Sequence, residues 1–135
     1  MNAKIVWIVS IMLIGGVVAP MARAAEEATQ TLQGEIVDPA AYLRDGRHGA
    51  ELEDETFDAV DGGQTLALLE QDTQVLYLLL APQAGEDPNE LVYDHVTHRV
   101  KLTGHVYERG GMHGIVATEV ESLEPAAAPA APANP

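Results

Sequence analysis

The chain contains no cysteine, which removes disulfides, thiol nucleophiles and thiolate metal ligands together. Serine is nearly as scarce: Ser10 and Ser122 are the only two, and neither lies in a strand-turn-helix nucleophile elbow. Aromatic residues make up 4% of the chain, so any core must be largely aliphatic. Bases are few as well, with seven Lys and Arg against 21 Asp and Glu. All the acids, and only Arg44, Arg47, Arg99, Lys101 and Arg109 among the bases, follow Ala24. A negative field of that size repels phosphate backbones and anionic membrane surfaces, which speaks against nucleic acid as a ligand. It fits solubility, in a saline habitat for example, or attraction of a basic partner. Phosphate-cradling loops are missing too, since Gly110-Gly111 suits a hairpin turn and Gly62-Gly63 lacks a following Lys and helix.

A hydrophobic run is present only near the N-terminus. Lys4 precedes an apolar stretch from Ile5 to Ala19, and Ala22-Arg23-Ala24 offers small residues where a signal peptidase reads. The run holds Ser10, Gly15 and Gly16 and falls short of the roughly 20 apolar residues a membrane span needs. Residues 1–24 therefore read as a cleaved signal peptide, sending the chain to the periplasm or the exterior with no membrane span left after cleavage. Residues 125–135, PAAAPAAPANP, are Pro/Ala-rich and predict an extended, disordered tail. One small domain fits between, over residues 25–124.

Its pattern is mostly that of strands. TLQGEIV (31–37) places Leu32, Gly34 and Ile36 on one face and ends at Asp38-Pro39. TLALLE (65–70) and TQVLYLLLA (73–81) read as a second and a third strand, the third apolar at nearly every position and stopped by Pro82. In GEDPNELVYDHV (85–96), Asp87 and Pro88 mark a helix start, with Leu91, Val92 and His95 or Val96 on one face. RVKLTGHVYE (99–108) and MHGIVATEVES (112–122) form the last hairpin around Arg109-Gly110-Gly111. The order predicts an all-β fold: a small five-stranded OB-like Greek-key barrel with a short helix between strands 3 and 4.

Within that fold the histidines are the first candidates for chemistry. A three-residue loop would set Tyr107 opposite His113, His105 opposite Ile115 and Lys101 opposite Glu119, making His105 and His113 diagonal neighbours on one face. Two imidazoles so placed suit Cu or Zn, although a structural site asks for four ligands and no third strong one is near. Two exposed strand histidines packing on an aromatic are the simpler reading. His95 and His98 suit the C-terminal end of the expected helix, and His48 has no assignable partner.

The acidic stretch from Glu51 to Asp61 fails as a calcium loop. Counted from Asp54, its sixth and twelfth positions hold Ala59 and Thr65 where Gly and Glu are required. Helical spacing remains, with Glu51, Asp54 and Asp58 on one side, and predicts one or two turns.

Gly34-Glu35-Ile36-Val37-Asp38, Tyr42-Leu43, Gly46, Gly49, Gly63, Leu68-Leu69, Thr103-Gly104-His105-Val106 and Glu108-Arg109-Gly110-Gly111 together resemble a group of small exported, largely uncharacterised bacterial OB-like proteins. Their pattern runs C-Y-L, then G-x-x-G-x-x-H-x-x-C-A-x-x-C, then G-x-P. The resemblance implies an OB-like fold and, in those relatives, a Cys/His set suited to a soft metal, a haem-like group or disulfides. This chain has Ala41, Leu52, Glu55 and Ala59 at those positions, so no cofactor is carried over. The expectation is an exported, non-enzymatic binding or accessory domain for a protein partner or a small ligand. The alternative is a periplasmic Cu/Zn-binding protein using His105 and His113.

Overall fold

The computed structural model describes residues 28–124; the signal-peptide and tail expectations lie outside the described residues. The alternation around Leu32 and Ile36 produces β1 (Ala28–Val37). A long connection follows, carrying α1 (Pro39–Asp45), a 3₁₀ turn (Ala50–Leu52) and α2 (Glu53–Asp61). Next come β2 (Ala67–Glu70) and β3 (Leu76–Leu79), a 3₁₀ turn at Tyr93–His95, and the hairpin of β4 (Arg99–Arg109) and β5 (Met112–Ser122).

The strands close into a barrel in the order β1-β2-β3-β5-β4, with β4 returning to β1 and β3 running parallel to β5. This is the Greek-key arrangement of an OB-like barrel, and closure leaves no long strand edge open. β1 serves two partners. It pairs with β4 from Ala28 to Glu35 and with β2 from Gly34 to Val37, so Gly34 stands where the two ladders overlap. A Cβ there would lie 2.2 Å from the Leu69 carbonyl oxygen, and only glycine lets the backbones approach that closely.

The barrel interior is aliphatic, as the composition requires. Ile36, Leu66, Leu68, Leu79, Val100, Leu102 and Ile115 are all essentially inaccessible to solvent, and burying a side chain of that size contributes roughly 1.5–3 kcal/mol. A second, smaller cluster lies outside the sheet, where Val37, Ala67 and Leu69 are covered by Tyr42 of α1 and flanked by Leu76 and Leu78. β2 thus has apolar contacts on both faces. The third strand, whose run of apolar residues is the longest, is covered only in part: Leu79 is buried, whereas Leu80 just beyond it is 37% exposed.

The expected helix between strands 3 and 4 is present only as the 3₁₀ turn Tyr93–His95. Around it the chain makes successive tight turns, with amide-to-carbonyl bonds from Val92 to Asn89, His95 to Val92 and His98 to His95. Asp87 caps the start of this segment, and Asn89 ties it to the chain entering β2. Asp87 Oδ1 accepts from the Asn89 amide at 2.8 Å, and buried Asn89 accepts from the Leu66 amide at 2.8 Å while its Nδ2 donates to the Gln64 carbonyl at 3.0 Å. Val92 and Val96 still enter the core, but Leu91 turns outward.

A helix from the β1–β2 connection packs against the core instead. Phe57 and Val60 of α2 lie on the main cluster, and Phe57 meets Tyr93 edge-on at 5.1 Å. α2 has nine residues, longer than one or two turns. Its first turn holds Glu53, Asp54 and Glu55, where the helix dipole favours negative charge, and Leu52 and Thr56 are buried beneath it.

Candidate functional site

The β4–β5 hairpin decides the fate of the histidine pair. Its loop is two residues, Gly110 and Gly111, both at positive φ, as a tight hairpin turn requires. Glu108 therefore faces His113 and His105 faces Val116, one residue away from the expected register. A bulge between Thr103 and Gly104 shifts the ladder again, so Lys101 meets Glu121 (3.1 Å) rather than Glu119. A one-residue slip reverses the faces of a strand, and His105 and His113 consequently project from opposite faces of the hairpin. His105 Nδ1 lies 3.3 Å from Thr29 Oγ1. His113 packs edge-on against Tyr77 at 5.4 Å, with Glu108 Oε2 3.9 Å away. Burial, then the charges of Glu70 and Glu108, raise the Tyr77 phenol above its ordinary pKa. Among the described residues no group of three or more His, Asp or Glu side chains is placed to hold a metal ion.

Ala41, Leu52, Glu55 and Ala59 offer one polar side chain among them. Ala41 and Leu52 are buried, Ala59 is half-buried, and Glu55 points to solvent. Glu55 makes a bidentate pair with Arg47, at 2.7 and 3.2 Å, linking α2 to the chain that follows α1. The Arg47 hydrogen bond holds the Glu55 carboxyl below its ordinary pKa, and the guanidinium is correspondingly raised. His95 ends the 3₁₀ turn and His98 lies three residues beyond it; the His98 carbonyl accepts from the Ile36 amide at 3.1 Å.

His48 does acquire a partner. Its Nδ1 lies 2.8 Å from Glu35 Oε2, and its ring meets Tyr42 edge-on at 5.8 Å. Arg99, directly opposite Glu35 across the β1–β4 ladder, donates from Nη2 to Gln71 Oε1 at 2.6 Å. Glu35, His48, Gln71 and Arg99 border a shallow cleft of about 180 Å³, with Leu69 and Gly34 at its base. Loop closure brings Glu35 and His48 together, and neither motif spacing nor periodicity signals that.

The second surface lies on the outside of β3 and β5. Leu78, Leu80, Tyr107 and Met112 line a largely apolar cleft of about 360 Å³ around Gly114. Gly114 is the seat for Leu80, since a Cβ there would come within 2.7 Å of Leu80 Cδ1. Leu80 also borders a neighbouring cleft of about 320 Å³, formed with Pro82, Pro88, Leu91 and Ala117 and edged by Glu86, Asp87 and Glu90. Leu80, Leu91 and Met112 are 37%, 40% and 64% exposed. Both surfaces are open to solvent.

The class these observations define is a small closed OB-like β-barrel with a solvent-facing apolar cleft. No family model, curated protein or solved structure matches the chain. Among the described residues no helix is long and apolar enough to cross a membrane.

Proposed function

We propose that this chain is an exported, non-enzymatic binding module that engages a partner protein through the outer face of β3 and β5. The observation that carries the reading is the position of Leu80 and Met112. The barrel has filled its interior and covered its second cluster without them, yet both stay exposed along one cleft, with Leu78 and Gly114 between them. Single exposed apolar residues are ordinary on a protein surface, whereas adjoining ones that line a cleft favour a contact surface. The signal-like N-terminus supports export, and the scarcity of nucleophiles supports binding over catalysis.

The test is recovery of a partner from envelope extract by the exported chain and by a Leu80→Asp/Met112→Asp variant. The expected result is one partner retained by the wild type and lost by the variant, with the variant still folded by circular dichroism. Equal recovery by both, or turnover of a substrate by the purified domain, would overturn the reading.

A further inference from the structure

Leu80 belongs to both outer clefts, so the apolar strip from Met112 continues past it to Leu91. The character of the strip changes along the way. Around Met112 the walls are apolar, with Glu108 and Arg109 of opposite sign at the edge. Around Leu91 the floor is Pro82, Pro88 and Ala117, and the charges are Glu86, Asp87 and Glu90, all of one sign.

Among the described residues, no cation is paired with those three carboxylates. None of the described ion pairs involves them; Arg47 is held by Glu55, Lys101 by Glu121, and Arg99 by Gln71. Asp87 has a local task, accepting from the Asn89 amide, which fixes its carboxylate at the edge of the cleft. Glu86 and Glu90 lie on the solvent-exposed segment beside it. The cleft therefore offers apolar walls on which an aliphatic side chain can seat, rimmed by fixed negative charge. Such a rim repels an acidic segment and attracts a basic one, and steers its approach.

We propose that this end of the strip docks a cationic amphipathic segment of the partner protein: an aliphatic side chain between Leu80 and Leu91, flanked by Lys or Arg directed at Glu86, Asp87 and Glu90. The inference rests on the binding-module reading and adds the chemistry of the partner. It also gives the acid surplus of the chain a local use, because a long-range field that concentrates basic partners acts with this rim. The long aliphatic stems of Lys and Arg suit the site further, covering apolar walls while their charged ends reach the carboxylates.

The experiment titrates the isotope-labelled exported chain with two synthetic peptides of identical leucine pattern, one with lysine and one with glutamate at the intervening positions. The expected result is amide shifts at Leu80, at Glu86, Asp87 and 89–91, and at Ala117 with the lysine peptide alone. Its affinity should fall about tenfold between about 50 and 300 mM salt, as screening of exposed charge requires. Glu86→Gln/Glu90→Gln should weaken it severalfold without altering the free spectrum elsewhere. Equal binding of both peptides, or shifts confined to another face, would overturn the cationic assignment. Concentration-dependent shifts at the cleft without peptide would make a second copy of the chain the occupant, which also overturns it. Loss of both peptides while the captured partner still depends on Leu80 and Met112 would reject this inference and leave the module reading standing.

Discussion

His48 brings its Nδ1 to 2.8 Å from Oε2 of Glu35, thirteen residues earlier on β1. An ionised carboxylate only accepts, so Nδ1 is the proton-bearing nitrogen of that contact. Oε1 of the same carboxylate is buried with no hydrogen-bond partner, which makes Oε2 the one oxygen secured by protein. The contact fastens the long β1–β2 connection to the barrel wall. His48→Ala should destabilise the domain by about 1–2 kcal/mol, the usual cost of stranding a mostly buried acceptor. Glu35→Gln/His48→Ala should recover part of the loss, because the stranded charge is gone. Urea unfolding of the three proteins checks this, and a double variant no better than His48→Ala would contradict it.

Asn89 is 5% exposed and joins the segment after β3 to the chain entering β2. Asn89→Ala removes two tertiary hydrogen bonds and leaves the Leu66 amide without its acceptor, a loss of about 2–3 kcal/mol. Asn89→Asp keeps the acceptor but loses the donor to Gln64 and adds a buried charge, so it should be at least as damaging. Thermal melts that rank Asn89→Asp above Asn89→Ala in stability would be inconsistent with this geometry.

Most of the barrel was legible in the sequence, and the misses are specific. The five strands follow from period-two alternation, from the apolar run of 73–81, and from Asp38-Pro39, Pro82 and Gly110-Gly111, which are local signals. The helix expected over 85–96 shortens to Tyr93–His95, in a segment whose Asn89 side chain is tied to the Leu66 amide 23 residues away, a tertiary contact with no local signal. The hairpin register fails because a two-residue and a three-residue loop read alike around Gly110-Gly111. That single residue decides which face His113 occupies. The Glu35–His48 contact and the cleft at Leu80 arise from chain closure and carry no local pattern.

Acidification should expose a small electrostatic contribution. Glu55, through Arg47, and Glu70, through the Thr73 hydroxyl, have folded pKa values below their ordinary 4.5. A carboxyl lowered by folding stabilises above its unfolded pKa, and that stabilisation is lost as pH falls through the folded value. Both groups are solvent-exposed, so the effect is slight. The melting temperature of wild type should exceed that of Glu55→Gln by a small margin at neutral pH, and the margin should close in strong acid. A margin that widens on acidification would show the sign to be wrong.

The hairpin register also bears on metals. With His105 and His113 on opposite faces, Zn²⁺ or Cu²⁺ at modest excess should leave the melting temperature unchanged, since no described group can gather around the ion. A stabilisation abolished by His105→Ala/His113→Ala would revive the metal-binding alternative.

The central claim is that the β3–β5 face, and no other, meets the partner. A photo-crosslinking side chain placed at Leu80, and separately at Thr31 on the β1–β4 side of the barrel, tests it directly in native cells. The expected outcome is an adduct with one partner, through a basic segment, from Leu80 and none from Thr31. Adducts from Thr31 alone, or equally from both positions, would contradict it.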